Sequence, residues 1–271
     1  MKVLLFTGLG ALLFAYYWDD NFDPTRLRGA RVLLTGASAG VGEELAYHYA
    51  RLGSHLVLTA PTEALLQKVV GNCRKLGAPK VFYIAADMAS SEAPEHVVQF
   101  ALDKLGGLDY LVLNHMGSTP AGMRVRSAQT TRWLMQVNFL SYVQLTSRAL
   151  PSLTDSKGSL VVVSSLLGRV PASFSIPYSA AKFALDGFFG SLRRELDVQD
   201  VNVAVTLGVS RARTAPGPQA ALAVIRGGAT RASGVFYPWR LHLLCLLRGW
   251  LPRPPAWFVR QDLNVSAAAA A

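Results

Sequence analysis

Between Ala30 and Thr206, six short apolar runs alternate with five stretches of helical pattern, and few folds accept that alternation. The runs are Ala30–Thr35, His55–Thr59, Lys80–Ala85, Tyr110–Asn114, Ser159–Ser164 and Asn202–Thr206. Each has strand length and a centre of apolar residues, as strands covered on both faces have. The first helical pattern is marked by Leu45, Tyr49 and Leu52 and ends at Gly53; others follow over about 63–76, 92–105 and 127–150, and a fifth carries Tyr178 and Lys182. This order predicts an α/β domain on a doubly wound parallel sheet with helices on both faces. The domain is expected over 28–235, after a polar linker from Asp19 to Arg28 and ahead of a tail over 236–271. A chain of 271 residues suits one such domain.

Sheets of this kind bind ligands at the carboxyl ends of their strands. Polar residues stand there in this sequence: Thr35-Gly36, Asp87, Asn114 and Ser164-Ser165. The first run passes through Gly36-Ala37-Ser38-Ala39-Gly40-Val41-Gly42 straight into a helical pattern. A strand, a glycine-rich turn and a helix start together form a site for phosphate groups. Gly36 is expected to permit the tight turn, and Gly40 and Gly42 to bring backbone N–H groups up to a pyrophosphate. No Gly-Lys-Ser/Thr follows, which excludes a nucleotide triphosphatase loop. Asp87, Met88, Asn114 and His115 are expected to line the same nucleotide. His48 and His96, on helices, read as surface or packing residues.

Tyr178-Ser-Ala-Ala-Lys182 places two polar side chains four apart, on one helix face. A lysine ammonium beside a phenol stabilises the phenolate and lowers its pKa, making the tyrosine a usable acid and base. Ser165 is expected to face the same reacting centre.

These residues resemble the short-chain dehydrogenase/reductase family. The match runs through Thr35-Gly-x-x-x-Gly-x-Gly42, Asp87, Asn114, Asn138, Ser165 and Tyr178-x-x-x-Lys182, in order, over about Arg28 to Thr206. Within the family, Leu113-Asn-His115, Val137 to Tyr142, Val161 to Ser165 and Lys182 to Phe189 resemble the hydroxysteroid dehydrogenases. The resemblance implies a Rossmann-type domain, an NADP cofactor and interconversion of a secondary alcohol and a ketone, with a steroid as substrate. It implies a catalytic set of Asn138, Ser165, Tyr178 and Lys182. Tyr178 exchanges a proton with the substrate oxygen and Ser165 hydrogen-bonds that oxygen. Lys182 lowers the Tyr178 pKa and holds the nicotinamide ribose, and Asn138 orients a water that links Lys182 to solvent.

Two departures stand out. Close relatives hold the 2′-phosphate of NADP with a basic residue in the glycine loop and an arginine after the second strand; here those places are Ala39 and Pro61. NAD-specific members carry an acid at the end of the second strand, where this chain has Thr59-Ala60, so NAD stands as the alternative. Second, Leu207 to Pro216 is too short for both the loop and the covering helix that relatives place there. That shortening raises an alternative function: a weak or inactive nucleotide-binding homologue serving as a membrane or dimer interaction protein.

Composition bears on partners. The net charge is +10, and residues 201–271 hold eight arginines, no lysine and one acid, Asp262. Trp239, Trp250, Trp257, Phe258 and several leucines interleave those arginines, a pattern that suits a lipid headgroup region or a second copy of the chain and not nucleic acid. Cys73 and Cys245 lack metal spacing, and no metal site is expected. The apolar run from Val3 to Trp18 follows a single Lys2 and reads as a signal peptide or anchor over 1–18, which predicts the secretory pathway, either secreted or in the endoplasmic reticulum. Asn264-Val-Ser266 would then be a glycosylation sequon.

Overall fold

In the computed structural model, described over residues 22–118, 127–171, 175–210 and 217–247, seven parallel strands form one sheet in the order β3-β2-β1-β4-β5-β6-β7. The strands are β1 (Arg31–Thr35), β2 (His55–Ala60), β3 (Lys80–Ala85), β4 (Tyr110–Leu113), β5 (Ser159–Ser165), β6 (Ala204–Ser210) and β7 (Gly234–Tyr237). The helices are α1 (Gly40–Arg51), α2 (Glu63–Lys75), α3 (Ala93–Leu105), α4 (Ala128–Met135), α5 (Ser141–Asp155), α6 (Ile176–Val198), α7 (Gly217–Ala229) and α8 (Arg240–Leu247). The order reverses between β1 and β4, and such a switch point opens the crevice used for ligands. It lies between the glycine loop after β1 and Asn114 after β4.

Alternating side chains of the strands fill two cores. Val32, Leu34, Leu56 and Leu58 pack with Leu45 and Tyr49 of α1, Leu66 and Val70 of α2 and Ile225 of α7. Leu33, Val57, Leu111 and Val162 pack with Val97 of α3, Tyr142 and Leu145 of α5 and Leu185 and Phe189 of α6. Burying each such leucine is worth roughly 1.5–3 kcal/mol, so the apolar runs hold the sheet between its helix layers.

The structure departs from the sequence reading in four places. The described part of the polar linker, residues 22–28, packs on the domain: Pro24–Leu27 is a 3-10 turn capped by Asp23, and Leu27 is fully buried. The helix expected over 127–150 is α4, a π-turn (Gln136–Leu140) and α5, and it runs past Pro151 to Asp155. The sixth strand begins two residues later than expected and continues through Leu207-Gly208-Val209-Ser210, paired with Val162 to Ser165 on one side and β7 on the other. Much of the segment read as a short loop is therefore strand. The domain boundary at 235 falls inside β7, and α8 packs Leu241 against Leu166 and Val170. Gly227 and Gly228 lie in the last turn of α7, where a Cβ would sit 2.1 Å from Val235 and 2.6 Å from Val161; they let α7 approach the sheet. The apolar run over 1–18, the segment 211–216 and the tail over 248–271 lie outside the described residues.

Candidate active site

The glycine turn is tied to the sheet before any ligand is considered. Ala37 N donates to Thr59 O at the end of β2, and Asn114 Nδ2 donates to Gly36 O. Gly36 (φ +66°) and Gly40 (φ +60°) adopt the left-handed conformation that side chains disfavour. Their surroundings differ. A Cβ on Gly36 would lie 2.6 Å from the His115 Cα, whereas nothing lies within 4 Å of one on Gly40. A Cβ on Gly42 would meet Gly36 O at 1.9 Å and Asn114 Nδ2 at 2.5 Å. Gly42 thus serves the close packing of α1 on the turn, whereas Gly40 has open space beside it. Ala39, at the N-cap of α1, offers no side-chain bond to the helix end. A twelve-residue helix with open space at Gly40 and no side chain capping it suits a dinucleotide pyrophosphate.

Ser38, Ala39 and Val41 line the same turn, partly or fully exposed. Asp87 is exposed and accepts a hydrogen bond from Ala89 N, while the Met88 side chain is buried in the core.

His115 is not free to contact a nucleotide through its ring. Nδ1 lies 2.7 Å from Thr35 Oγ1 and Nε2 2.8 Å from Ser141 Oγ, and the residue is buried. Burial and the nearby Lys182 push its pKa down to about 3, so the ring is neutral. His115 ties β1 to α5 through its ring.

Asn138 sits in the middle of the π-turn. Its Oδ1 accepts from Gly117 N, and its Nδ2 donates to Gly117 O and Leu134 O. The side chain thus holds the chain just beyond β4, and its amide is committed to protein partners.

Ser165, Tyr178 and Lys182 come together. Ser165 ends β5, its Oγ accepts from Leu167 N, and its hydroxyl lies near enough to the Tyr178 phenol to influence it. Tyr178 is half-buried one turn into α6, behind Pro177, which suits the first turn of a helix. Lys182, one turn further, is buried, with Nζ 5.8 Å from the Tyr178 ring centre. Burial pushes the Tyr178 phenol up to about 12, and the Ser165 hydroxyl pulls it partly back. Burial alone pushes the Lys182 ammonium down to about 7. Tyr178 is therefore a phenol at neutral pH, poised as a proton donor.

Two neighbours carried no functional signal in the sequence. Tyr142, read as one residue of a helix, sits beside Lys182; its spacing four after Asn138 was the available clue. Gly168 packs against the Lys182 backbone.

The sequence model for the short chain dehydrogenase family matches residues 30–214, spanning the glycine turn, the tyrosine–lysine pair and β6. This chain is a short-chain dehydrogenase/reductase. The enzyme is 83% identical to the hydroxysteroid 11-beta-dehydrogenase 1-like protein of Macaca fascicularis and 79% to that of Bos taurus, each match covering 100% of both chains. Each match spans 287 positions against 271 residues here, so 16 internal positions have no residue from this chain. Among solved structures, a metagenomic short-chain oxidoreductase in complex with NADP superposes with a TM-score of 0.69 at 27% identity, covering 76% of this chain and 93% of that one. The family binds a nicotinamide cofactor, and this enzyme belongs with oxidoreductases related to hydroxysteroid dehydrogenases.

Proposed function

We propose that this enzyme interconverts a secondary alcohol and a ketone on a steroid, with NADP as the favoured cofactor and NAD as the alternative. The observation that carries the proposal is the placing of Ser165, at the carboxyl end of β5, beside Tyr178, with buried Lys182 one turn further along α6. The cofactor supplies the hydride or accepts it. The protein supplies the rest. Gly40 and the start of α1 hold the anionic pyrophosphate, and Asn114 fixes the turn beneath it. In reduction Tyr178 gives its phenolic proton to the carbonyl oxygen, while Ser165 hydrogen-bonds that oxygen and stabilises the charge that develops on it. The Lys182 ammonium stabilises the phenolate left behind and holds the ribose. Asn138 keeps the segment beyond β4 in place, and a water oriented near it would return the proton. Ile176, 65% exposed at the start of α6 two residues before Tyr178, offers an apolar contact suited to a steroid.

Only six residues, 211–216, separate β6 from α7. Together with the 16 positions that the relatives have in addition, this supports weaker enclosure of the reacting centre and a lower kcat, with the chemistry itself unchanged. We also propose that residues 1–18 direct the enzyme to the secretory pathway and that the basic tail meets a membrane surface or a second copy. N-terminal sequencing of the mature protein tests the first and sedimentation in the presence of anionic vesicles the second. The substrate proposal is tested by following NADPH absorbance with purified enzyme against a panel of ketosteroids and simple ketones. Steroid-selective turnover is the expected result; nucleotide binding without turnover of any ketone would sink the proposal.

A further inference from the structure

We propose that Tyr142 is a positioning residue for Lys182, clamping one of the three ammonium protons so that the other two are directed at the ribose and at Tyr178. The inference rests on the assignment of Lys182 to the reacting centre. Tyr142 lies on α5, outside the tyrosine–lysine motif, and is fully buried.

Lys182 Nζ is 3.5 Å from Tyr142 Oη, at the long end of hydrogen-bond range, and 5.0 Å from the centre of the Tyr142 ring. The ring face adds a cation–π attraction at that distance. No ion pair involving Lys182 occurs among the described residues, and the groups facing it are the Tyr178 and Tyr142 rings and neutral His115. A buried ammonium without a carboxylate depends on such contacts to remain charged.

Tyr142 is held for the task. Its hydroxyl donates to the His115 carbonyl, so a lone pair is left to accept from Lys182. Its ring stands 4.4 Å from the His115 ring, which is pinned between Thr35 and Ser141. The clamp is thereby fixed to the end of β1, the strand that feeds the glycine turn. Burial keeps the Tyr142 phenol protonated far above neutral pH, so Tyr142 orients and does not relay protons. A phenylalanine would keep the ring and lose the acceptor.

The test is Tyr142→Phe in the full chain, with the titration of Lys182 followed by NMR of isotope-labelled lysine, assigned by its loss in Lys182→Met. Losing an acceptor disfavours the ammonium, so the midpoint is expected about one pH unit lower than in the wild type. Ser141→Ala, which touches His115 but not Lys182, leaves it in place. If Tyr142→Phe does not fold, 3-fluorotyrosine at position 142, a weaker acceptor of nearly the same shape, gives the same readout with a smaller downward shift. An unmoved Lys182 midpoint in the folded variant overturns the proposal. The readout needs no turnover, so it is separate from the substrate assignment; the ketone-reduction pH profile is the functional check, and its alkaline fall is expected to move to lower pH with the lysine.

Discussion

Gly168 lies so close to Lys182 that a Cβ there would sit 2.7 Å from the Lys182 carbonyl oxygen and 2.9 Å from its carbonyl carbon. The short 3-10 turn (Leu166–Gly168) that follows Ser165 is therefore pressed onto α6 at Lys182. Gly168 fixes the spacing between the serine and the tyrosine–lysine pair. Overpacking costs typically about 1–3 kcal/mol. Gly168→Ala is expected to lower the thermal midpoint accordingly and to reduce kcat more than nucleotide affinity, as melting curves and steady-state kinetics would read.

Gly42 and Gly71 make a contrasting pair. A Cβ at Gly42 collides with the Gly36 carbonyl, so Gly42→Ala is expected to distort the turn and weaken nucleotide binding about tenfold by fluorescence titration, since overpacking costs about 1–3 kcal/mol and about 1.4 kcal/mol is a factor of ten. Gly71 lies inside α2 with nothing within 4 Å. Alanine has the better helix propensity, and Gly71→Ala should stabilise the fold by roughly 0.5–1 kcal/mol without changing nucleotide affinity.

Lys182 should trade stability for function. Its pKa falls to about 7 in the fold against an ordinary 10.5, so the unfolded chain binds more protons between those values. Stability from this residue therefore rises with pH across that window, and the penalty is full below it. Lys182→Met is expected to raise the melting temperature at pH 6–7, with the gain shrinking toward pH 10.5, while abolishing turnover. Melting curves across that range check the sign.

Asp109 gives the opposite pH dependence. Burial raises its pKa, but bonds from Arg31 N, Nε and the guanidinium outweigh that and hold it below 3.8. This stability is present above the unfolded pKa and is lost as pH falls through the folded one. Both side chains are partly exposed, so solvent screening reduces the contribution to roughly 1 kcal/mol. Asp109→Asn should melt earlier at pH 6 and match the wild type near pH 2.

The fold was legible in the sequence because a parallel sheet covered on both faces turns its strands into apolar runs with chemistry at their ends. Val32, Leu33 and Leu34 face both cores, and Thr35 follows them into the crevice. β7 escaped because Gly234–Tyr237 is four half-buried residues at a sheet edge, without such a run. The π-turn escaped because a widened turn leaves the apolar periodicity of its helix nearly intact. Ser165, Tyr178 and Lys182 were readable from spacing, since one strand end and one helix face bring them together. Tyr142 was not, because an aromatic at helical spacing looks like any core residue until the fold places Lys182 beside it. The packing of Gly42 and the ring contacts of His115 were not legible for one reason. Sequence marks a residue at a strand end but does not say whether it faces a ligand or its own protein.

The central claim is that Tyr178 exchanges the proton in a nicotinamide-dependent ketone reduction. Loss of NADPH absorbance with a ketosteroid, measured for the wild type and Tyr178→Phe at matched nucleotide occupancy, tests it most directly. Turnover in the wild type with a loss of a hundredfold or more in Tyr178→Phe is the predicted result, as removal of a positioned acid costs about that much. Equal rates in the two proteins would contradict the account.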